Sequence, residues 1–206
     1  MQRCWYVAYG SNMCRDRFDR YLEGGRPPGG RRHYRGARDP RPPADDRPYW
    51  LPGGTYFARE SPTWTGGMAF LDTTMNGLAP ARAYLLTLEQ FADVVAQELR
   101  RDAWTVPDLS AVTASTILEM GPGHYETVVG CAPIEGVPAY TFTAPGSVDG
   151  APLAAPSVAY LATVVRGLRE THGWSAREGV EHLVGRPGAR GRWTVETALT
   201  ALEAGR

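Results

Sequence analysis

WYVAYGSNM, residues 5–13, sets an aromatic and β-branched run directly against Gly-Ser-Asn. Trp5 to Ala8 reads as a short strand bounded by Gly10. From Met13 to Leu22 the period changes. Cys14, Phe18, Tyr21 and Leu22 fall at i, i+4, i+7 and i+8, the spacing of a helix with one apolar face. Gly10 frees the chain to turn, and Ser11 or Asn12 is placed to cap the helix. A strand, a glycine turn and a helix start aim unpaired backbone N–H groups at one point, which suits an anion such as a carboxylate. An ordinary strand-to-helix turn has the same pattern, so the rest of the chain must decide.

Outward from that stretch, residues 23–54 are rich in Gly, Pro and Arg and show neither a helical nor a strand period. They read as a long loop, with Asp39, Asp45 and Asp46 beside the cluster Arg31, Arg32, Arg35 and Arg38. Short strands follow over 55–58, 67–71 and 81–86. TLEQFADVVAQELRR, residues 87–101, reads as a helix. Thr87 and Gln90 form a capping box, and Leu88, Phe91, Val94, Val95 and Leu99 make the apolar stripe. Residues 102–123 carry no clear pattern. Strands over 127–131 and 139–143 suggest a hairpin across Ile134-Glu135-Gly136. Residues 144–156 connect to three helices within 156–206, starting near Ser157, Ser175 and Thr194. Together these predict one α+β domain over 1–206, a small mixed β-barrel or curved sheet packed by helices.

Composition narrows the chemistry. The chain has 206 residues and a formal net charge of zero, so no global field recruits nucleic acid or an anionic membrane. All 22 basic residues are Arg, which removes Schiff-base chemistry and a Lys base. No apolar stretch reaches the length of a membrane span. Cys4, Cys14 and Cys131 are a sparse, odd set that fits a reducing cytoplasm. His33, His124, His172 and His182 share no close spacing with one another or with Cys, so no metal site is expected. Cys14 lies in the first turn of the expected helix, where the macrodipole lowers a thiol pKa, but it also fits that helix's buried face. Ser11 lacks the Gly two positions on that a nucleophile elbow needs. Glu98, with Glu89 and Asp93 as rivals on the same helix, is a carboxylate able to act as base and then acid if partly buried.

YVAYGSNM resembles the signature of the γ-glutamylcyclotransferase-like family. TWTGGMAFL, residues 63–71, resembles that family's Trp-x-Gly-Gly segment. Residues 81–98 are similar to its strand followed by a helix ending in the catalytic Glu. PAYTFT, residues 138–143, resembles its late Tyr-containing strand, and Pro156-Ser157 with Tyr160 resembles its C-terminal Pro-Ser-x-x-Tyr helix. The order and spacing agree over roughly residues 5–174. The chain also resembles actinobacterial members with a long Gly/Pro/Arg loop, some labelled histone deacetylases. That label does not fit the residues, because a metal-dependent deacetylase needs His and Asp ligands.

The resemblance implies a fold, a reaction and a site. Tyr9, Gly10, Ser11, Asn12 and Met13 would bind the α-carboxylate and amine end of a γ-glutamyl group, largely through backbone N–H groups. Glu98 would be general base and acid, releasing 5-oxoproline from a small-molecule γ-glutamyl substrate without metal or organic cofactor. The chain departs from the family at Leu99, where Gly is usual. It departs again at Tyr125, which follows Glu98 by 27 positions rather than a few. Tyr125 and Tyr140 are the expected tyrosines of the pocket. Two other readings stay open: a non-catalytic binding module for a γ-glutamyl or amino-acid ligand, and an amidohydrolase using Cys14.

Overall fold

A continuous apolar run needs cover on both faces, and the first strand has it. In the computed structural model, which describes residues 2–102, 109–121 and 123–205, strand β1 is Arg3–Ala8. Cys4, Tyr6 and Ala8 point into one apolar cluster, and Trp5 and Val7 into the other. β1 pairs antiparallel with β5 (Leu78–Thr87) and parallel with β8 (Val137–Thr143). The six-stranded mixed sheet has the order β2-β5-β1-β8-β7-β6, with β2 Asp45–Pro52, β6 Ile117–Glu119 and β7 Thr127–Ile134. β3 (Gly54–Ala58) and β4 (Met68–Asp72) form a separate antiparallel pair.

Helices cover both faces of this curved sheet. Phe18, Tyr21 and Leu22 of α1 (Arg15–Glu23) and Phe91, Val94 and Val95 of α2 (Leu88–Glu98) fill one side. α3 (Val158–His172), α4 (Ala176–Val184) and α5 (Val195–Ala204) fill the other, through Leu161, Val165, Leu168, Val180, Leu183 and Ala198. The α+β class and the mixed sheet packed by helices match the sequence expectation. No helix among the described residues is long and apolar enough to cross a membrane.

Two local expectations need correction. Residues 23–54 are not loop throughout, because β2 pairs with β5 from Asp45 opposite Leu85 to Pro52 opposite Leu78. β2 is an edge strand, where Pro48 and Pro52 are tolerated because only one side of the strand must donate hydrogen bonds. Helix α1 starts at Arg15 rather than Met13, and neither Ser11 nor Asn12 caps it. Ser11–Met13 form a 3-10 turn closed by Met13 N–H to Gly10 O at 3.0 Å and Cys14 N–H to Ser11 O at 3.1 Å. The Arg15 N–H instead donates to Glu170 Oε2 of α3 at 2.9 Å.

Other elements follow their local chemistry. Gln90 N–H donates to Thr87 Oγ1, and Thr87 N–H to Gln90 Oε1, both at 3.1 Å, so the capping box forms. The β7–β8 turn has positive φ at both Glu135 and Gly136, as a tight hairpin of this twist requires. In the patternless stretch 102–123 the short β6 pairs with β7; residues 103–108 and 122 lie outside the described residues.

Candidate functional site

Glu98 is the last residue of α2, half-buried. A carboxylate at that end gains nothing from the helix macrodipole, so side chains from other elements hold it. Its Oε1 accepts from Asn12 Nδ2 at 3.1 Å and from the Tyr21 hydroxyl in a short contact. Asn12 Nδ2 also donates to the Tyr6 hydroxyl at 3.0 Å. Thus β1, the 3-10 turn, α1 and α2 each bring one group to a single point. The turn is pinned from behind by α3. A Cβ on Gly167 would lie 2.6 Å from Cys14 N, so the helix approaches as closely as a glycine allows.

Glu98 stands between two spaces. Above the turn is a recess of about 30 Å³ whose walls include Tyr9, Gly10, Ser11, Asn12, Glu98 and Tyr125. Beside it lies a cavity of about 250 Å³, and the two share Ser11, Glu98, Tyr125 and Tyr160. Gly10 leaves room for the recess: a Cβ there would come within 3.0 Å of the Tyr160 hydroxyl. Tyr125 donates to Ala69 O at 3.0 Å, while Tyr160 accepts the Ala69 N–H at 3.0 Å, so two phenols fix this point of β4. The Ser11 N–H also faces the Tyr160 hydroxyl.

The structure therefore gathers Tyr9, Gly10, Ser11, Asn12, Glu98 and Tyr125, and leaves two expected residues outside. Met13 packs its side chain in the core, uses its N–H inside the turn, and gives its carbonyl to Arg82 at 3.1 Å and Tyr84 at 3.2 Å. Tyr140 donates to Leu109 O at 3.3 Å and packs on Phe91. It shares a face of β8 with Phe142, and Phe142 is the one at the recess. Two residues along a strand is about 7 Å, enough to remove Tyr140 from the site.

Sequence reasoning missed Tyr6, Arg17, Tyr21, Tyr34 and Tyr160. Tyr160 had a signal in the Pro-Ser-x-x-Tyr segment. Arg17 and Tyr21 had only their i, i+4 spacing. Arg17 Nη2 donates to the Tyr21 hydroxyl at 2.6 Å and the Tyr34 hydroxyl at 2.8 Å.

Charge states follow from burial. Burial pushes the Tyr6, Tyr21 and Tyr125 phenols well up, opposed by Arg17 at Tyr21, and the Glu98 charge adds to the rise, so they stay protonated. Burial also raises the Tyr9 phenol, which donates to Phe142 O at 2.9 Å. Burial, then Arg59 and Arg100, lowers His124, which lines the larger cavity as a neutral imidazole. The Cys14 thiol is raised, chiefly by burial, against the lowering expected for a helix start, and it faces Glu170 rather than a histidine. Among the described residues no three His, Cys, Asp or Glu side chains are grouped to hold a metal ion.

Comparison with known proteins fixes the fold. No protein-family model matches the chain. The crystal structure of uncharacterized protein loc79017 from Homo sapiens is similar over 98% of this chain and 99% of that one, with a TM-score of 0.53 and 14% identity. A structure named γ-glutamyl cyclotransferase is similar over the same shares, with a TM-score of 0.51 and 13% identity. The chain has this γ-glutamyl cyclotransferase-like fold. In sequence it is 34% identical over 184 residues to Histone deacetylase 5 of Arabidopsis thaliana, covering 81% of this chain and 28% of the plant protein. The chain thus spans less than a third of the length of that curated relative.

Proposed function

We propose that this chain is a cyclotransferase that releases 5-oxoproline from a γ-glutamyl amide, with Glu98 as general base and acid. The observation that carries the reading is the Glu98 carboxylate held 3.1 Å from the Asn12 amide, at the wall shared by recess and cavity. The γ-glutamyl head would enter the recess beside Gly10, Ser11 and Asn12, with Tyr9 and Tyr125 closing its walls. The amide nitrogen and what it carries would lie in the larger cavity.

The chemistry needs little more than folding the substrate and moving protons. The α-ammonium, with a pKa of roughly 8, must lose a proton before it can attack. Glu98 takes that proton. The amine nitrogen then bonds to the γ-carbonyl carbon, closing a five-membered ring. As the intermediate collapses, the C–N bond to the departing amine breaks. The ring nitrogen gives up a second proton, and the departing nitrogen gains both, so Glu98 ends as it began. Holding amine and carbonyl in a near-attack shape supplies up to about 7–11 kcal/mol of the barrier. Neither metal nor organic cofactor enters this balance.

A mass-spectrometric assay for 5-oxoproline against a panel of γ-glutamyl amides tests this, with Glu98→Gln run beside the unaltered protein. Glu98→Gln keeps the size of the side chain and is expected to lower kcat by about 10²–10⁴-fold. Undiminished turnover in that variant would sink the mechanism. Loss of activity in Cys14→Ala, with folding intact, would move the chemistry to the thiol.

A further inference from the structure

Arg17, Tyr21 and Tyr34 are all buried, and one line of hydrogen bonds runs through them to Glu98. At its far end Thr63 Oγ1 lies 3.2 Å from the Tyr34 hydroxyl. That hydroxyl accepts from Arg17 Nη2 at 2.8 Å, and the same nitrogen donates to the Tyr21 hydroxyl at 2.6 Å. Tyr21 in turn donates to Glu98 Oε1. Burial works against the Arg17 charge, and Tyr21, Tyr34 and Glu98 more than offset it.

The line has one direction. A guanidinium has donors and no acceptor, and a phenol has a single proton to give. Tyr21 can therefore only accept from Arg17, and its own proton is turned onto the carboxylate. Arg17 Nη2 carries two hydrogens, one for each phenol, so its bond to Tyr34 fixes where its bond to Tyr21 points. Inside a protein such charge-assisted bonds are strong, and they reinforce one another along a chain.

Tyr34 belongs to no helix or main strand. It lies in the irregular segment between α1 and β2, tied back to the end of α1. Gly25 N–H donates to Tyr34 O at 2.9 Å, and Tyr34 N–H to Gly25 O at 2.7 Å. Gly24 and Gly25 make that return possible, with φ of 83° and 97°. The Tyr34 ring meets the Tyr21 ring edge-on, 4.8 Å between centroids. Thr63 comes from the link between β3 and β4, which accepts the Arg31 N–H at its carbonyl at 2.8 Å. Arg17, Tyr21 and Tyr34 are all absent from the walls of the recess, so the line reaches Glu98 from outside the place proposed for the γ-glutamyl head. Tyr34 does line the larger cavity, and its effect on KM must be read apart from its effect on kcat.

We infer that Tyr34 is a positioning residue for Glu98, acting through Arg17 and Tyr21, so that the irregular segment between α1 and β2 sets the orientation of the carboxylate. Calling Glu98 the base rests on the cyclotransferase reading, and the link to Tyr34 does not.

The test compares the unaltered protein, Tyr34→Phe, Tyr21→Phe and the double variant, with folding checked by denaturant unfolding. Release of 5-oxoproline gives kcat and KM. The carboxyl 13C signal of Glu98, identified by its absence from Glu98→Gln, reports on the bonds at that oxygen without turnover. Tyr34→Phe is expected to lower kcat about threefold with KM nearly unchanged, and to move the carbon signal in the same direction as Tyr21→Phe. In the double variant the loss of the Tyr34 hydroxyl should cost no further kcat, because Arg17 no longer reaches Glu98 through a phenol. Losses that multiply in the double variant would overturn the inference. So would a raised KM with kcat kept, or a carbon signal that stays in place in Tyr34→Phe. Arg17→Met removes the middle of the line and gives a second break should Tyr34→Phe not fold; an unmoved carbon signal there would also overturn the inference. If no γ-glutamyl amide yields 5-oxoproline from the unaltered protein, the reaction falls, and the carbon signal alone upholds or overturns the link.

Discussion

Arg17 and Arg82 are both buried, at 3% and 9% exposure, yet their surroundings differ in kind. Arg82 meets Asp46 at 2.6 Å, Glu170 at 3.3 Å and the Met13 carbonyl at 3.1 Å. Those acids have further arginines of their own, Arg15 on Asp46 and Arg166 on Glu170. Arg82 therefore closes a network that ties β2, β5, α3 and the 3-10 turn together. Arg17 has phenols and ring faces and no bonded carboxylate. Both are buried, and the partner set separates a charge met directly by carboxylates from one that feels the Glu98 charge only across the Tyr21 hydroxyl.

The sharpest way to break this contrast is stability. Arg82→Met leaves Asp46 and Glu170 facing each other across a partly buried gap, and is expected to destabilise the fold by about 3 kcal/mol, read from denaturant unfolding. Their second arginines and partial exposure keep the loss at the lower end of the range for buried pairs. A third arginine extends the comparison, since Arg186 Nη2 sits 3.1 Å from His182 Nδ1. Burial, then Arg186 and His172, pulls the His182 imidazole down to about 4. The folded chain holds it neutral where the unfolded chain, with a pKa of roughly 6.5, binds a proton. Stability from this difference is whole above pH ~6.5 and is lost as the pH falls through about 4, by about 3 kcal/mol in total. His182→Leu should flatten that part of a stability-against-pH curve.

Smaller effects belong to the site. Tyr21→Phe removes the hydroxyl that joins Arg17 to Glu98, and is expected to lower kcat about tenfold at a stability loss of about 1 kcal/mol. KM for a neutral amide should hardly move, which separates positioning of Glu98 from substrate binding. Arg17→Met should change unfolding free energy by less than about 1 kcal/mol, because a buried guanidinium that touches no carboxylate directly is exchanged for an apolar side chain of similar reach. A loss as large as that of Arg82→Met would mean that Arg17 is scaffold too.

The same contrast explains what was legible in the sequence. β1 and α2 were readable because local pattern and tertiary contact agree: an apolar run covered on both faces, and a capping box that forms. β2 was not, since an edge strand needs few apolar residues and tolerates proline; of its residues only Leu51 is buried. The resemblance brought Glu98 and Asn12 forward, and the fold sets them in contact. Tyr21 was absorbed into an apolar stripe, because periodicity registers the ring and not the hydroxyl. Nothing in the pattern singles out Arg17, since most arginines lie at the surface. Tyr34 lies in a segment with no period, and its burial comes from Arg17 and Thr63, distant in the chain. Tyr140 was drawn in by the resemblance of residues 138–143, which gives the strand but not the position along it that reaches the recess.

Helix α2 does more than end in Glu98. Along its length, Gln90 donates to the carbonyls of Asp39 and Arg41, Asp93 accepts the Arg38 N–H, and Gln97 accepts the Gly36 N–H and donates to the Tyr21 carbonyl. These grips fall on main-chain atoms, which every residue except proline supplies in full. This irregular segment is thus fastened to the helix largely by its backbone, with Arg38 Nε on Asp93 at 3.1 Å as the side-chain exception. Substitution over residues 35–41 therefore spares most of what ties this segment to the helix that ends in the carboxylate.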